Sequence, residues 1–319
     1  TADSIPFELT VKLDRAEYKR KQRDFDDTRP QPALGLVTPK VSPDGTQVVV
    51  TALGDLWIVG KDGTRQLTDD VLVQAHPSWT PDGQSLVYLS DRNGTADVWK
   101  YDLKSGKREN IVTLPGPDSY PVLSPDKSRV ALFAGSSINP LAGTLLVIDL
   151  ESGEQKQVLK RAIPPTPISW ADPDTLVVTR LKPNSTRYRE GVYEVLRVSV
   201  SDGSVISDQP VPNRTLASAT WAPSGKRLAF VEGGQLYVAS IDDDGRLSRR
   251  PERVHAGLAS YPSWTADSST LVFLSGTKIK GHHVENGETT EFPVDINWRR
   301  HAGEGRKVVH AGRLFNGRD

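Results

Sequence analysis

The sequence predicts an all-β fold, a six-bladed β-propeller of four-stranded antiparallel blades, and three observations carry that expectation. A turn-forming phrase recurs along the 319 residues. It reads Ser42-Pro43-Asp44-Gly45, Thr80-Pro81-Asp82-Gly83 and Ser124-Pro125-Asp126-Lys127, with looser copies at Ala171-Asp172-Pro173-Asp174, Ala222-Pro223-Ser224-Gly225 and Thr265-Ala266-Asp267-Ser268. The copies start 38, 44, 47, 51 and 43 residues apart, the period of one four-stranded blade. Tryptophan keeps the same register: Trp79, Trp170, Trp221 and Trp264 stand just before the phrase, while Trp57 and Trp99 recur on the third strand, where Tyr237 replaces them. Between the phrases lie short apolar runs separated by Gly-, Asn- and Asp-containing hairpin signals.

The phrase has a physical reason to recur. Proline at its second position presets φ for a type I turn, aspartate bonds nearby backbone, and glycine takes the positive φ that closes a hairpin. The second repeat shows a whole blade, with an inner strand over 76–79, then strands over 85–90, 97–103 and 107–114. Blade six is expected to hold four strands of its own, over 261–264, 270–275, 278–284 and 289–296. In blade four the strand over 176–181 is followed by a long connection, 182–191, before the next strand begins near Val192. The periodic aromatics read as wedges between blades and are assigned no function.

Both ends leave the repeat. Residues 5–13 alternate, with Phe7, Leu9, Val11 and Leu13 opposite Glu8, Thr10 and Lys12, the pattern of a half-buried strand. A polar connector follows to residue 32, the propeller is expected over 33–298, and 299–319 is a connector followed by a strand over 308–315. The two terminal strands are expected either to complete a blade or to pair in a small sandwich-like sheet, and the second arrangement is preferred.

Composition narrows the function. Forty basic and forty acidic residues cancel and are scattered, so neither nucleic acid nor an anionic membrane is an expected partner. No apolar run approaches the roughly 20 residues of a membrane-spanning helix. Cysteine is absent, which removes thiol catalysis, disulfides and zinc–thiolate sites. A chain that opens Thr1-Ala2-Asp3 and contains no methionine is expected to be processed or trimmed. Export to the periplasm or the extracellular space with the signal removed is the expected origin, and a cytoplasmic location stays compatible. Acceptor triplets for glycosylation at Asn93, Asn184 and Asn213 add weak weight to export.

No catalytic constellation emerges. The six histidines, His76, His255, His282, His283, His301 and His310, include no His-x-His pair, and His282 and His283 are neighbours on a predicted strand and so face opposite sides. There is no Gly-x-Ser-x-Gly elbow, and Asp242-Asp243-Asp244-Gly245 reads as a solvated hairpin rather than a calcium loop. No metal or cofactor is therefore expected within this chain. The candidate binding residues are those that begin the inner strands and gather at the channel mouth: His76, Tyr120, Thr166, Ser218 and Tyr261.

The string Pro77-Ser78-Trp79-Thr80-Pro81-Asp82-Gly83, running on through Tyr88 to Arg92, resembles the repeats of TolB-like propellers, and the resemblance extends from residue 33 to about residue 298. A closer resemblance is to amidohydrolases that carry such a propeller ahead of a catalytic barrel. It rests on Leu53-Gly54-Asp55-Leu56-Trp57 followed by Leu67-Thr68-Asp69-Asp70, on Arg187-Tyr188-Arg189-Glu190-Gly191, and on the tail Arg306-Lys307-Val308-Val309-His310-Ala311-Gly312-Arg313-Leu314-Phe315-Asn316-Gly317. That tail is similar to the strand with which the amidohydrolase part begins. The resemblance implies a divalent, zinc-like metal in that missing part, which would lie in cis or on a separate chain as the partner of this propeller. It also implies an interdomain or substrate-approach role for Arg187, Arg189 and Glu190.

Three functions stay in view. The leading one is a non-catalytic propeller domain of a metal-dependent amidohydrolase, a C–N bond hydrolase, shaping substrate access or interdomain assembly. The second is a free-standing propeller that binds proteins or peptides. The third is a lyase or isomerase acting in the channel.

Overall fold

Each turn phrase joins the first two strands of one antiparallel sheet whose four strands follow chain order, and six such sheets form the propeller. The computed structural model describes residues 8–13, 24, 27–135, 143–162, 166–183, 191–211, 218–248 and 250–300. The blades cover residues 37–66, 74–112, 118–162, 169–211, 219–255 and 260–292. There is no helix among the described residues, and so none long and apolar enough to cross a membrane.

The recurring phrase is a hydrogen-bonded device. In blade 1 the Gly45 N–H donates to the Ser42 carbonyl at 2.9 Å, closing the turn. The Ser42 hydroxyl donates to the Asp44 carboxylate, which also accepts the Thr46 N–H, and the Gln47 N–H donates to Ser42 Oγ. Thr80 and Asp82, Ser124 and Asp126, and Thr265 and Asp267 repeat this set. The last turn residue takes a left-handed φ: 77° at Gly45 and 68° at Gly83, but also 64° at Lys127 and 61° at Ser268, which lack glycine's freedom there.

The second strand of a blade is buried on both faces and is therefore apolar nearly throughout. Val48 and Val50 pack toward blade 6, while Val49 between them packs toward blade 2. Leu86 and Tyr88 face blade 1, and Val87 and Leu89 face blade 3. Each of the six seams between neighbouring blades holds its own buried apolar cluster. Fully burying a side chain such as Leu or Val contributes roughly 1.5–3 kcal/mol, so the fold is held by six small cores in series.

The ring closes without exchanging a strand between its ends. Blade 6 is built from Ser260–Trp264, Thr270–Ser275, Lys278–His283 and Thr289–Phe292, and it seals against blade 1 by side-chain packing and a few hydrogen bonds. The Val41 N–H donates to Ser263 Oγ at 3.3 Å, and the Ala266 N–H to the Pro43 carbonyl at 2.9 Å. A two-residue pair, Gln31–Pro32 with Asn297–Trp298, adds a small sheet where the chain enters and leaves the ring.

Two expectations need revision. Over 8–13, the described part of the alternating N-terminal segment, no strand forms, and Leu9, Val11 and Leu13 are exposed rather than half-buried. Alternation marks a strand only where a sheet edge is available, and the small terminal sheet is made by residues 31–32 and 297–298 instead. The expected C-terminal strand over 308–315 lies outside the described residues. In blade 4 the second and third strands run further than expected, Thr175–Pro183 and Gly191–Ser199, because Lys182 still pairs with Val192 and Pro183 with Gly191.

Candidate functional site

The inner strands of four blades carry a device that no other strand shows among the described residues, a register slip enclosing a left-handed residue followed by proline. In blades 1, 2, 3 and 6 the pairing with the second strand slips by one residue, between Val37 and Lys40, Ala75 and Ser78, Ser119 and Val122, and Ser260 and Ser263. Inside each slip is a residue with left-handed φ followed by proline: Thr38 (50°), His76 (48°), Tyr120 (53°) and Tyr261 (53°). Such a bulge leaves the extra residue unpaired and re-aims its side chain. Proline next in line has no N–H to lose from the ladder, and it discourages the right-handed helical conformation in the residue before it. Left-handed φ in a non-glycine residue costs on the order of 1 kcal/mol or more, so four repeats of it mark a region where fold stability is given up for side-chain placement.

All four residues line one cavity of about 400 Å³ at the centre of the ring. Lys40, Trp79, Trp170, Trp221 and Trp264 share its wall, together with several prolines, and no aspartate or glutamate lines it. His76 and Tyr120 stack with ring centroids 4.1 Å apart and planes 9° from parallel. The Tyr120 N–H donates to His76 Nδ1 at 3.3 Å, which leaves the imidazole proton on Nε2. Burial, aided by the charge of Lys40, pulls the His76 pKa down to about 4, so the ring is neutral at pH 7. Burial alone pulls Lys40 down to about 8. Burial, with a smaller contribution from the Tyr261 phenol, pushes Tyr120 up to about 12. The Lys40 ammonium has no hydrogen bond or ion pair among the described residues.

The tryptophans tie the wall together. Trp79 Nε1–H donates to the Lys40 carbonyl at 2.8 Å, Trp170 Nε1–H to the Val122 carbonyl at 3.4 Å and Trp264 Nε1–H to the Thr220 carbonyl at 3.1 Å. Each bond reaches from one blade to the one before it, as expected of wedges between blades. The same indoles also form much of the cavity wall, a second role that sequence periodicity did not reveal.

Of the channel-mouth candidates, His76, Tyr120 and Tyr261 come together in this cavity. Thr166 and Ser218 do not line it. Thr166 is fully buried and exchanges hydrogen bonds with Thr179, while Ser218 is buried with its carbonyl accepting from Val231. Counting back from the tryptophan explains the first case: His76 lies three residues before Trp79, and the residue three before Trp170 is Pro167, which does line the cavity. Arg187, Arg189 and Glu190 lie outside the described residues.

Lys40 was missed, although the repeats carry a signal for it. It occupies the column held by Ser78, Val122, Ser169, Thr220 and Ser263 in the other blades, where every residue is uncharged. Among the described residues no group of three or more histidine, cysteine, aspartate or glutamate side chains is placed to hold a metal ion. The site presents hydrogen-bond donors, aromatic faces and one cation.

Comparison with known proteins agrees with this architecture. The family model PD40, the TolB beta propeller domain, matches residues 33–178. The Tol-Pal system protein TolB of Francisella tularensis is 40% identical over 58 residues, 18% of this chain and 13% of that protein. Dipeptidyl-peptidase 5 of Porphyromonas gingivalis is 32% identical over 92 residues, 25% of this chain and 14% of that protein. The crystal structure of TolB from Acinetobacter baumannii superposes with a TM-score of 0.60 at 18% identity, covering 81% of this chain and 63% of that one. The matches therefore span only a small part of the curated relatives, and the structural likeness is one of fold. Together they show that residues 33–178 are similar to the TolB beta propeller domain and that the likeness of fold extends over most of the chain.

Proposed function

We propose that this chain is the non-catalytic propeller of an exported, amidohydrolase-type hydrolase, and that it engages an extended polypeptide segment in its central channel. The observation that carries the binding role is the cavity itself: four bulges aim Thr38, His76, Tyr120 and Tyr261 into a space walled by tryptophan and proline, at a cost in backbone strain. Its volume falls in the range of ligand-binding pockets, roughly 300–1,000 Å³. The name of the matched dipeptidyl-peptidase lends weight to a peptide-like ligand. The link to an amidohydrolase rests on the resemblance of the Leu53 to Trp57 stretch and of the tail after Arg306.

The catalytic half of this reading is tested on the longest natural reading frame. Amide hydrolysis with added zinc is measured for that protein and for a version lacking the propeller. The expected result is metal-dependent hydrolysis in both, with a raised KM for peptide-sized substrates once the propeller is gone. A reading frame that encodes no hydrolase, beside no hydrolase gene product that co-purifies, counts against it.

A second reading, a free-standing protein-binding propeller, is favoured by the match to the TolB beta propeller domain. It predicts stable capture of a partner protein by this chain alone, lost when Tyr120 and Tyr261 are replaced by alanine.

A further inference from the structure

The cavity contains an imbalance that names its ligand. Lys40 brings a positive charge into a wall without a single carboxylate, and the ammonium has no hydrogen bond or ion pair among the described residues. Lys40 is partly buried, and a partly desolvated charge without a counter-ion favours an anionic partner. The groups around it are donors. His76 accepts the Tyr120 N–H at Nδ1, so its Nε2 holds a proton, and the phenols of Tyr120 and Tyr261 have hydroxyls to donate. Lys40 lies within the electrostatic reach of His76, and Tyr261 within that of Tyr120, so the four groups form one neighbourhood. Every one of them is suited to an anionic oxygen, and none calls for a cation.

We propose that the channel binds the terminal carboxylate of an apolar peptide segment, with the Lys40 ammonium as its counter-ion and the His76 Nε2–H and the Tyr120 and Tyr261 hydroxyls as further donors. This assignment rests on the reading of the channel as a binding site and specifies its ligand. One cation matches a singly charged carboxylate, whereas a phosphate dianion would remain half-neutralised in a low-dielectric site. The tryptophans and prolines of the wall supply apolar surface for the residues behind the carboxylate and extend no charged side chain toward them. A carboxylate there converts the unpaired ammonium into a charge-assisted, multiply hydrogen-bonded pair.

The test uses the whole chain and its own tryptophan fluorescence, since four indoles stand in the cavity wall. The probes are a random hexapeptide library with free C-terminal carboxylates, the same library C-terminally amidated, and inorganic phosphate. Binders are expected from the free-acid library alone. The best of them should lose at least about tenfold in affinity when amidated, the size of a lost charge-assisted hydrogen bond. Lys40→Met should cost a similar factor while Lys40→Arg retains binding, and Tyr120→Phe and Tyr261→Phe should each cost less. Should Lys40→Met fail to fold, the acid-versus-amide comparison on the unaltered chain decides alone. Amidated peptides binding within twofold of the acids would overturn the carboxylate assignment and leave the channel reading standing. No binder from either library would overturn both, and phosphate displacing every peptide would overturn the peptide assignment.

Discussion

Asp126 and Asp118 stand at opposite ends of the same inner strand of blade 3, and the fold treats them in opposite ways. Asp126, in the turn, accepts the Ser124 hydroxyl and the Ser128 N–H, and these bonds hold its pKa near 2. Asp118 is 5% exposed, neither of its carboxylate oxygens has a hydrogen-bond partner among the described residues, and burial reinforced by the charge of Asp97 pushes it up to about 8. The same division separates the turn carboxylates of the other blades from Lys40 in the channel wall. Polar groups satisfied by residues a few positions away maintain the propeller. Polar groups carried inside without partners cost stability, and in the channel that cost accompanies a binding surface.

The largest effect is expected where the wall is held together. Trp264→Ala removes a nearly buried indole and its bond to the Thr220 carbonyl, and it should cost about 3–5 kcal/mol in denaturant unfolding. A loss below about 1 kcal/mol would show that the seam between blades 5 and 6 is held by other contacts.

Asp118 should respond with the opposite sign. Its pKa is raised on folding, so the folded chain keeps a proton that the unfolded chain releases, and stability falls as pH climbs from the ordinary value of 3.8 to about 8. Asp118→Asn should flatten that slope and be more stable than the parent at pH 8, because the neutral amide has no proton to release there, with little gain below pH 4. Urea melts at pH 4 and pH 8 separate the two regimes, and a destabilised Asp118→Asn at pH 8 would mean the carboxylate has a partner in solution.

The turn gives the smallest effect. Asp126→Ala should lose about 1 kcal/mol at neutral pH, the net worth of the bonds it accepts. Because its pKa is lowered on folding, the contribution is present above 3.8 and lost as pH falls toward 2, so the variant should converge on the parent in acid. Parallel melts that keep the same separation at pH 2 would contradict the assignment.

The legible and the hidden parts of this molecule follow the same division. The six-blade period could be read because the bonds of the turn phrase run between residues at most five apart, from Ser42 to Gln47 in blade 1, so the chemistry lies along the chain. Strands between such turns were placed to the residue at Ser85–Ser90 and Thr270–Ser275. That blade 6 holds four strands of its own was legible from its apolar runs, but the contact that seals it to blade 1 was not, because it joins Val41 to Ser263 across most of the sequence. In the site, the starts of the inner strands pointed to His76, Tyr120 and Tyr261 but also to Thr166 and Ser218, which do not line the cavity, and in blade 4 Pro167 takes the lining position instead. Lys40 stands out in sequence as the one charged residue of its repeat column, but the wall without carboxylates that it faces is displayed only by the assembled ring. The exposed alternation over 8–13 makes the converse point, since apolar periodicity forms no strand without an edge to join.

The most direct measurement of the central claim is the titration of Lys40 itself, followed by NMR on selectively labelled lysine side chains and assigned with Lys40→Arg. The unpaired, partly buried ammonium should titrate near pH 8 against the ordinary 10.5, and it should move upward when a free-acid peptide fills the channel. A Lys40 that titrates at the ordinary 10.5 and ignores the peptide would contradict the account.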